Sequence, residues 1–161
     1  MDNLKKKTYL KFIFLTSFIV LVAAYAIQYL LGHQPCSLCI IERIPYALAI
    51  IILILNYVFK KNEIFYCILL LLIFAFSFLI SIYHLGIEQG FIYESDICGV
   101  SKLDLITKED ILKSLNKMNI NCKDVTFKIL GLSLTSYNIL VSIIMFVTSI
   151  KIYLINNEVK K

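Results

Sequence analysis

Four stretches of this chain, residues 12–41, 44–59, 64–87 and 129–150, contain no aspartate, glutamate, lysine or arginine. No other feature restricts the fold as strongly, because a helix needs about 20 predominantly apolar residues to cross the hydrocarbon core of a bilayer. Three of the stretches are long enough unaided. The second reaches about 21 residues when extended back to Cys39, and it then carries Glu42 and Arg43 near one end, where long side chains reach the polar interface. Composition agrees: 60% of the 161 residues are hydrophobic and 17% charged, outside the range of ordinary soluble domains. The expectation is an all-α membrane protein, one domain of four transmembrane helices at about 10–31, 39–59, 64–86 and 133–154. The connections expected on the outer side are about 32–38 and 87–132.

Charge placement sets the predicted orientation. Lys5, Lys6, Lys7, Lys11, Lys60, Lys61, Lys151, Lys160 and Lys161 all flank the spans. By the positive-inside rule, both termini and the turn at 60–63 face the cytoplasm. The long loop at 88–128 then lies outside, with six lysines against seven acidic residues, so the net charge of +5 leaves no nucleic-acid patch. Lys5–Lys7 followed by an apolar run containing Ala24-Tyr25-Ala26 resembles a signal peptide. The run continues through Leu31, beyond the 7–15 residues of a signal core, so an uncleaved first helix is expected.

This topology sorts the five cysteines. Cys36 and Cys39 fall at the start of the second helix and Cys98 and Cys122 in the long loop, all on the oxidising side of a bacterial inner membrane. Cys67 falls near the opposite face, where it reads as a packing residue. Two same-sided pairs admit structural disulfides, a metal site or a redox relay. Taken alone, a Cys98–Cys122 bridge reads as a staple closing a loop of about 25 residues and contributing around 3 kcal/mol. The Cys36-Ser37-Leu38-Cys39 pair suits an easily exchanged dithiol instead. His33 with Cys36 and Cys39 offers metal ligands, but the distal cysteines are 24 apart and an oxidising compartment disfavours thiolate zinc, so no metal is assigned.

The helix beginning near Cys39 carries the chemistry. Its N-terminal partial positive charge favours a thiolate, and Arg43 at i+4 from Cys39 would share a face with that sulfur. No haem, flavin or iron–sulfur motif is present, which leaves a lipid-soluble quinone as the electron acceptor. Arg43 would hydrogen-bond a ring oxygen that becomes negative on reduction. His84, in SIYHLGIEQG, is expected at the same depth as a hydrogen-bond or proton donor, oriented by Glu88 at i+4.

These residues resemble the disulfide bond formation protein B (DsbB) family of quinone-linked thiol oxidases. The likeness rests on PCSLCIIERIPYAL, YHLGIEQG, the distal cysteine pair and CKDVTFKILGLSLTSYN, together covering nearly the whole chain. This chain has no tryptophan, and Ile41 stands where many members carry an aromatic. The resemblance implies a four-helix bundle with Cys36/Cys39 facing a quinone, ubiquinone or menaquinone. It implies that Cys98/Cys122 faces a periplasmic DsbA-like dithiol oxidase, with Cys98 forming the transient mixed disulfide. It also implies that Arg43, with His84, binds the quinone. The implied activity is that of a protein dithiol:quinone oxidoreductase of the inner membrane. Two alternatives stand beside it: a quinone–thiol reductase of reversed flow, as in vitamin K epoxide reductases, and a non-enzymatic assembly subunit with structural disulfides. In the long loop, Thr107 and Asp110 read as a capping box, and Ile111, Leu115 and Met118 as one face of a helix, either lying on the membrane or packed within the loop without lipid contact.

Overall fold

The computed structural model describes residues 2–59, 63–93, 122, 128–129 and 131–158. Cys98 and the predicted loop helix at 107–118 lie outside the described residues. Helix α1 runs Asp2–Tyr29, α2 Ser37–Ile41, α3 Ile44–Phe59, α4 Glu63–Glu88 and α5 Leu134–Glu158, with a minimal hairpin of β1, Lys128–Ile129, and β2, Leu132–Ser133, before α5. The protein is a four-span helical membrane bundle, α2 and α3 together forming the second span, Ser37–Phe59. At 1.5 Å per residue the 26-residue α4 is about 39 Å long, enough to cross a core of about 30 Å.

The second span is one helix by composition but two by structure. Pro45 has no N–H to donate, and in a continuous helix its ring would press on the carbonyl of Ile41. The chain therefore leaves α2 at Ile41, passes through Glu42 and Arg43 as a turn, and restarts at Ile44. Helix α4 ends in a Schellman motif: Gly90, at φ +77°, donates to the Ile87 carbonyl at 3.0 Å, and Phe91 N–H to Gly86 at 2.9 Å. Ser133 caps α5, its Oγ accepting the Ser136 N–H at 3.3 Å. The hairpin that leads into it pairs Lys128 with Ser133 and Ile129 with Leu132, a feature the apolar run at 129–150 does not announce.

The bundle turns large apolar side chains outward, among them Phe12, Phe18, Ile51, Phe76 and Ile144, as lipid-facing surface requires. Inside, Ile13, Ala49, Leu70, Phe74, Met145 and Ile152 form the core, with Cys67 buried among them as a free thiol. Helix α4 packs along α5 on small residues, Ser77 and Ser81 against Ser142, whose size lets the backbones approach. Their hydroxyls are satisfied locally: Ser77 Oγ lies 3.0 Å from Ser142 Oγ, and Ser81 donates to the Ser77 carbonyl at 2.8 Å. Tyr46 donates to Asn138 Oδ1 at 2.6 Å, and Asn138 Nδ2 donates to Ser81 at 2.7 Å, which joins α3 to the same network.

Candidate active site

The end of the bundle where α2, the last turns of α4 and the first turn of α5 meet gathers the polar groups. Cys36 is the N-cap of α2, in extended conformation, with its sulfur accepting the Cys39 N–H at 3.3 Å. The two sulfurs lie 2.7 Å apart as free thiols, so closing a bond of about 2.05 Å requires only a small rotation. On its other side, Cys36 Sγ is 3.5 Å from His84 Nε2. His84 is only 2% exposed, and its Nδ1 faces Glu42 Oε1 at 3.1 Å, with Thr135 Oγ1 at 3.4 Å.

Those partners assign the protons. A carboxylate accepts only, so Glu42 holds the hydrogen on Nδ1 and turns Nε2 toward the thiol. When neutral, that nitrogen accepts the Cys36 proton; once protonated it donates back to the thiolate. Cys36 is held far below the ordinary thiol range, at about 4, chiefly by hydrogen bonding from the Cys39 thiol, against burial and with help from His84. A cysteine at a helix N-cap, receiving a backbone N–H, is already an anion site.

Two expectations change here. The poised sulfur is Cys36, because the N-cap donor and the imidazole both converge on it, whereas the sequence reading placed the thiolate at Cys39. Arg43 stands in the turn between α2 and α3. Its guanidinium turns to α1, donating to Gln28 Oε1 at 2.6 Å and the Ala24 carbonyl at 3.5 Å, and lies 5.0 Å from the Tyr25 ring centroid. Glu88 does not orient His84; Glu42 does. That turn carries Glu42 inward, where it is 8% exposed. A charged residue inside a span needs a partner, and only that rule in the sequence pointed to Glu42.

Beside the dithiol opens a cavity of about 260 Å³. Cys36, Cys39, Arg43 and His84 line one part of it, and Val20, Ile27 and Val141 give it apolar walls. Tyr46 and Asn138 bring the serine network to its wall. His33 also lines it, although neither sulfur reaches that ring by a hydrogen bond. Since a water occupies about 30 Å³ of liquid, the space suits one substituted ring. Cys122, which is disulfide-bonded, also lines this cavity and packs in one buried cluster with Cys36, Leu38 and Ile87. Residues far apart in sequence therefore place Cys122 beside the Cys36/Cys39 pair.

No solved structure matches the chain. An uncharacterized protein, RP370, from Rickettsia prowazekii (strain Madrid E) is 31% identical over 136 residues, spanning 81% of this chain and 78% of its own. The sequence pattern of the family described as disulfide bond formation protein DsbB matches residues 6–152, from the first turns of α1 nearly to the end of α5. A membrane bundle that matches that pattern over almost its whole length, with a dithiol at one end, belongs to the DsbB family of disulfide bond formation proteins.

Proposed function

We propose that this protein oxidises a periplasmic, DsbA-like dithiol protein and passes the two electrons through Cys98/Cys122 and Cys36/Cys39 to a membrane quinone. The observation that carries this reading is the placement of Cys36, bonded to both Cys39 and His84, on a ring-sized cavity that Cys122 also lines. The lysine distribution supports an inner-membrane orientation with both termini cytoplasmic and this end periplasmic.

The chemistry balances as two exchanges and one oxidation. A thiolate of the soluble partner attacks the Cys98–Cys122 disulfide at Cys98, forming a mixed disulfide that the partner's second thiol resolves. A released thiolate of that pair then attacks the Cys36–Cys39 disulfide and leaves the inner pair reduced. Reclosing the Cys36–Cys39 bond releases two electrons and two protons. His84 Nε2 stands where it can accept the Cys36 proton, and Glu42 stabilises the imidazolium that results.

The cavity fits a quinone: its apolar walls suit the ring, and the Arg43 guanidinium is a donor for a carbonyl oxygen. Bound there, a quinone would supply the two-electron acceptor. Arg43 would hold one oxygen through its planar guanidinium, and its contacts to Gln28 and Ala24 fix that group from α1.

The test mixes purified protein, a reduced thioredoxin-fold oxidase and ubiquinone or menaquinone, and follows quinone absorbance. Loss of quinone matched by disulfide in the soluble partner is expected, with an adduct through Cys98 trapped in a Cys122→Ala chain. Quinol consumed while partner thiols accumulate would reverse the assigned direction. No quinone change with any dithiol donor would leave a structural role for the cysteines.

A further inference from the structure

Among the described residues, Cys36, Cys39 and His84 bring three ligand atoms within 4.8 Å of one another. We infer that the reduced form of this site binds a thiophilic d¹⁰ cation of the zinc class through both sulfurs and His84 Nε2, and that such binding arrests the chain in its reduced state. This goes beyond the electron route above and needs only that the inner pair can be reduced.

Three observations support the site. The donor set is two thiolates and an imidazole, which selects zinc, cadmium or cuprous ions over magnesium or calcium. Next, the imidazole is already oriented as a ligand. Glu42 Oε1, 3.1 Å from Nδ1, fixes the ring so that Nε2 faces Cys36 at 3.5 Å, the carboxylate–histidine arrangement found behind metal ligands. Finally, a divalent ion with two thiolates is neutral overall, so burying the complex carries little of the penalty of an isolated charge. All three ligand residues line the cavity.

The rearrangement required is small. Bonds of about 2.3 Å at a tetrahedral centre set two sulfurs about 3.8 Å apart. The sulfurs, now at 2.7 Å, must therefore separate by about 1 Å, within reach of a side-chain rotation at half-buried Cys39. Binding displaces the protons still carried by the two sulfurs and Nε2 and transfers no electrons. It is also exclusive with the Cys36–Cys39 disulfide, because the same two sulfurs would serve both bonds. The metal can hold only the reduced pair, and while held the pair cannot close.

The experiment uses the full chain in detergent or nanodiscs, carrying Cys98→Ala and Cys122→Ala so that only the inner pair and Cys67 hold thiols. Cadmium ion is added to the reduced chain, and the thiolate-to-metal charge-transfer band in the ultraviolet is followed, with zinc as competitor. The expected result is a saturable band, displaced by zinc, that is lost when the same chain is first oxidised to the Cys36–Cys39 disulfide. Glu42→Gln should weaken cadmium binding by about 10-fold to 100-fold while keeping the band, because it loosens His84 without removing a ligand. The oxidised comparison involves no substitution and so does not depend on a variant folding. A band that survives oxidation, that persists in Cys36→Ser/Cys39→Ser, or that never forms would overturn the site. These readouts need no quinone, so failure of the metal site is distinguishable from failure of the electron route.

Discussion

The two ends of this bundle both bury charge, and they use it differently. At one end Lys6, 9% exposed, reaches from α1 to Glu63 on α4 and to Asn156 Oδ1 on α5 at 2.8 Å. At the other, Glu42, His84 and Cys36 form a chain of contacts joining the second span to α4. The lysine end is an ion pair with an amide beside it, and it ties three helices. The thiol end strings together a carboxylate, an imidazole and a sulfur whose shared protons can move. In a membrane both arrangements satisfy the rule that buried charge must be paired. Only one of them offers a proton to exchange.

That contrast can be broken most decisively at the sulfur. Cys36→Ser should lower quinone reduction by roughly 10³-fold or more, since an alcohol cannot replace the exchanging thiol, while circular dichroism shows an unchanged helix content. Substantial remaining turnover would remove Cys36 from the route. His84→Ala should cost about 10²-fold in rate, the usual scale for a positioned acid–base group. An unaltered rate would show that the imidazole only packs.

Glu42 acts through His84, so Glu42→Gln should cost less, about tenfold, and displace the pH–rate profile, whereas Glu88→Gln should leave that profile in place. Equal effects from the two carboxylates would sink the assignment of Glu42 as the orienting group. The acid limb gives a further check. Cys36 is lowered to about 4, so its thiolate persists through neutral pH and is lost only as pH falls through that value. Thiolate absorbance of the reduced Cys98→Ala/Cys122→Ala chain, followed downward in pH, should show that edge, and His84→Ala should move it upward. An edge in the ordinary thiol range would mean the sulfur is not poised. Smallest is the effect at the opposite end. Lys6→Met should leave turnover intact and lower stability by about 1–2 kcal/mol, discounted because Glu63 is half-exposed. Denaturation in detergent measures it, and a drop in turnover would mean the two ends are coupled.

Much of this could be read without coordinates. The spans are set by length and apolarity, which act residue by residue and so survive any detail of packing. The Cys36/Cys39 spacing is equally local, and Cys36 at the mouth of a helix follows from where the second apolar run begins. The position of Cys67 in the core at the far end was legible for the same reason. What misled was treating residues 39–59 as one uninterrupted helix. Pro45 was visible, yet its consequence, a turn that sends Glu42 inward and Arg43 toward α1, depends on which neighbours wait on each side. The network through Tyr46, Asn138, Ser81, Ser77 and Ser142 left only a faint trace, polar residues four apart within apolar spans.

By itself, then, the sequence determined a four-span membrane chain of the DsbB family with a dithiol at one end, because hydrophobic length, lysine placement and cysteine spacing are properties of segments. Tertiary structure decided that Glu42 holds His84, that His84 faces Cys36, and that Cys122 shares their cavity. Those are contacts between residues tens of positions apart, and their geometry follows from how helices pack rather than from any pattern along one of them.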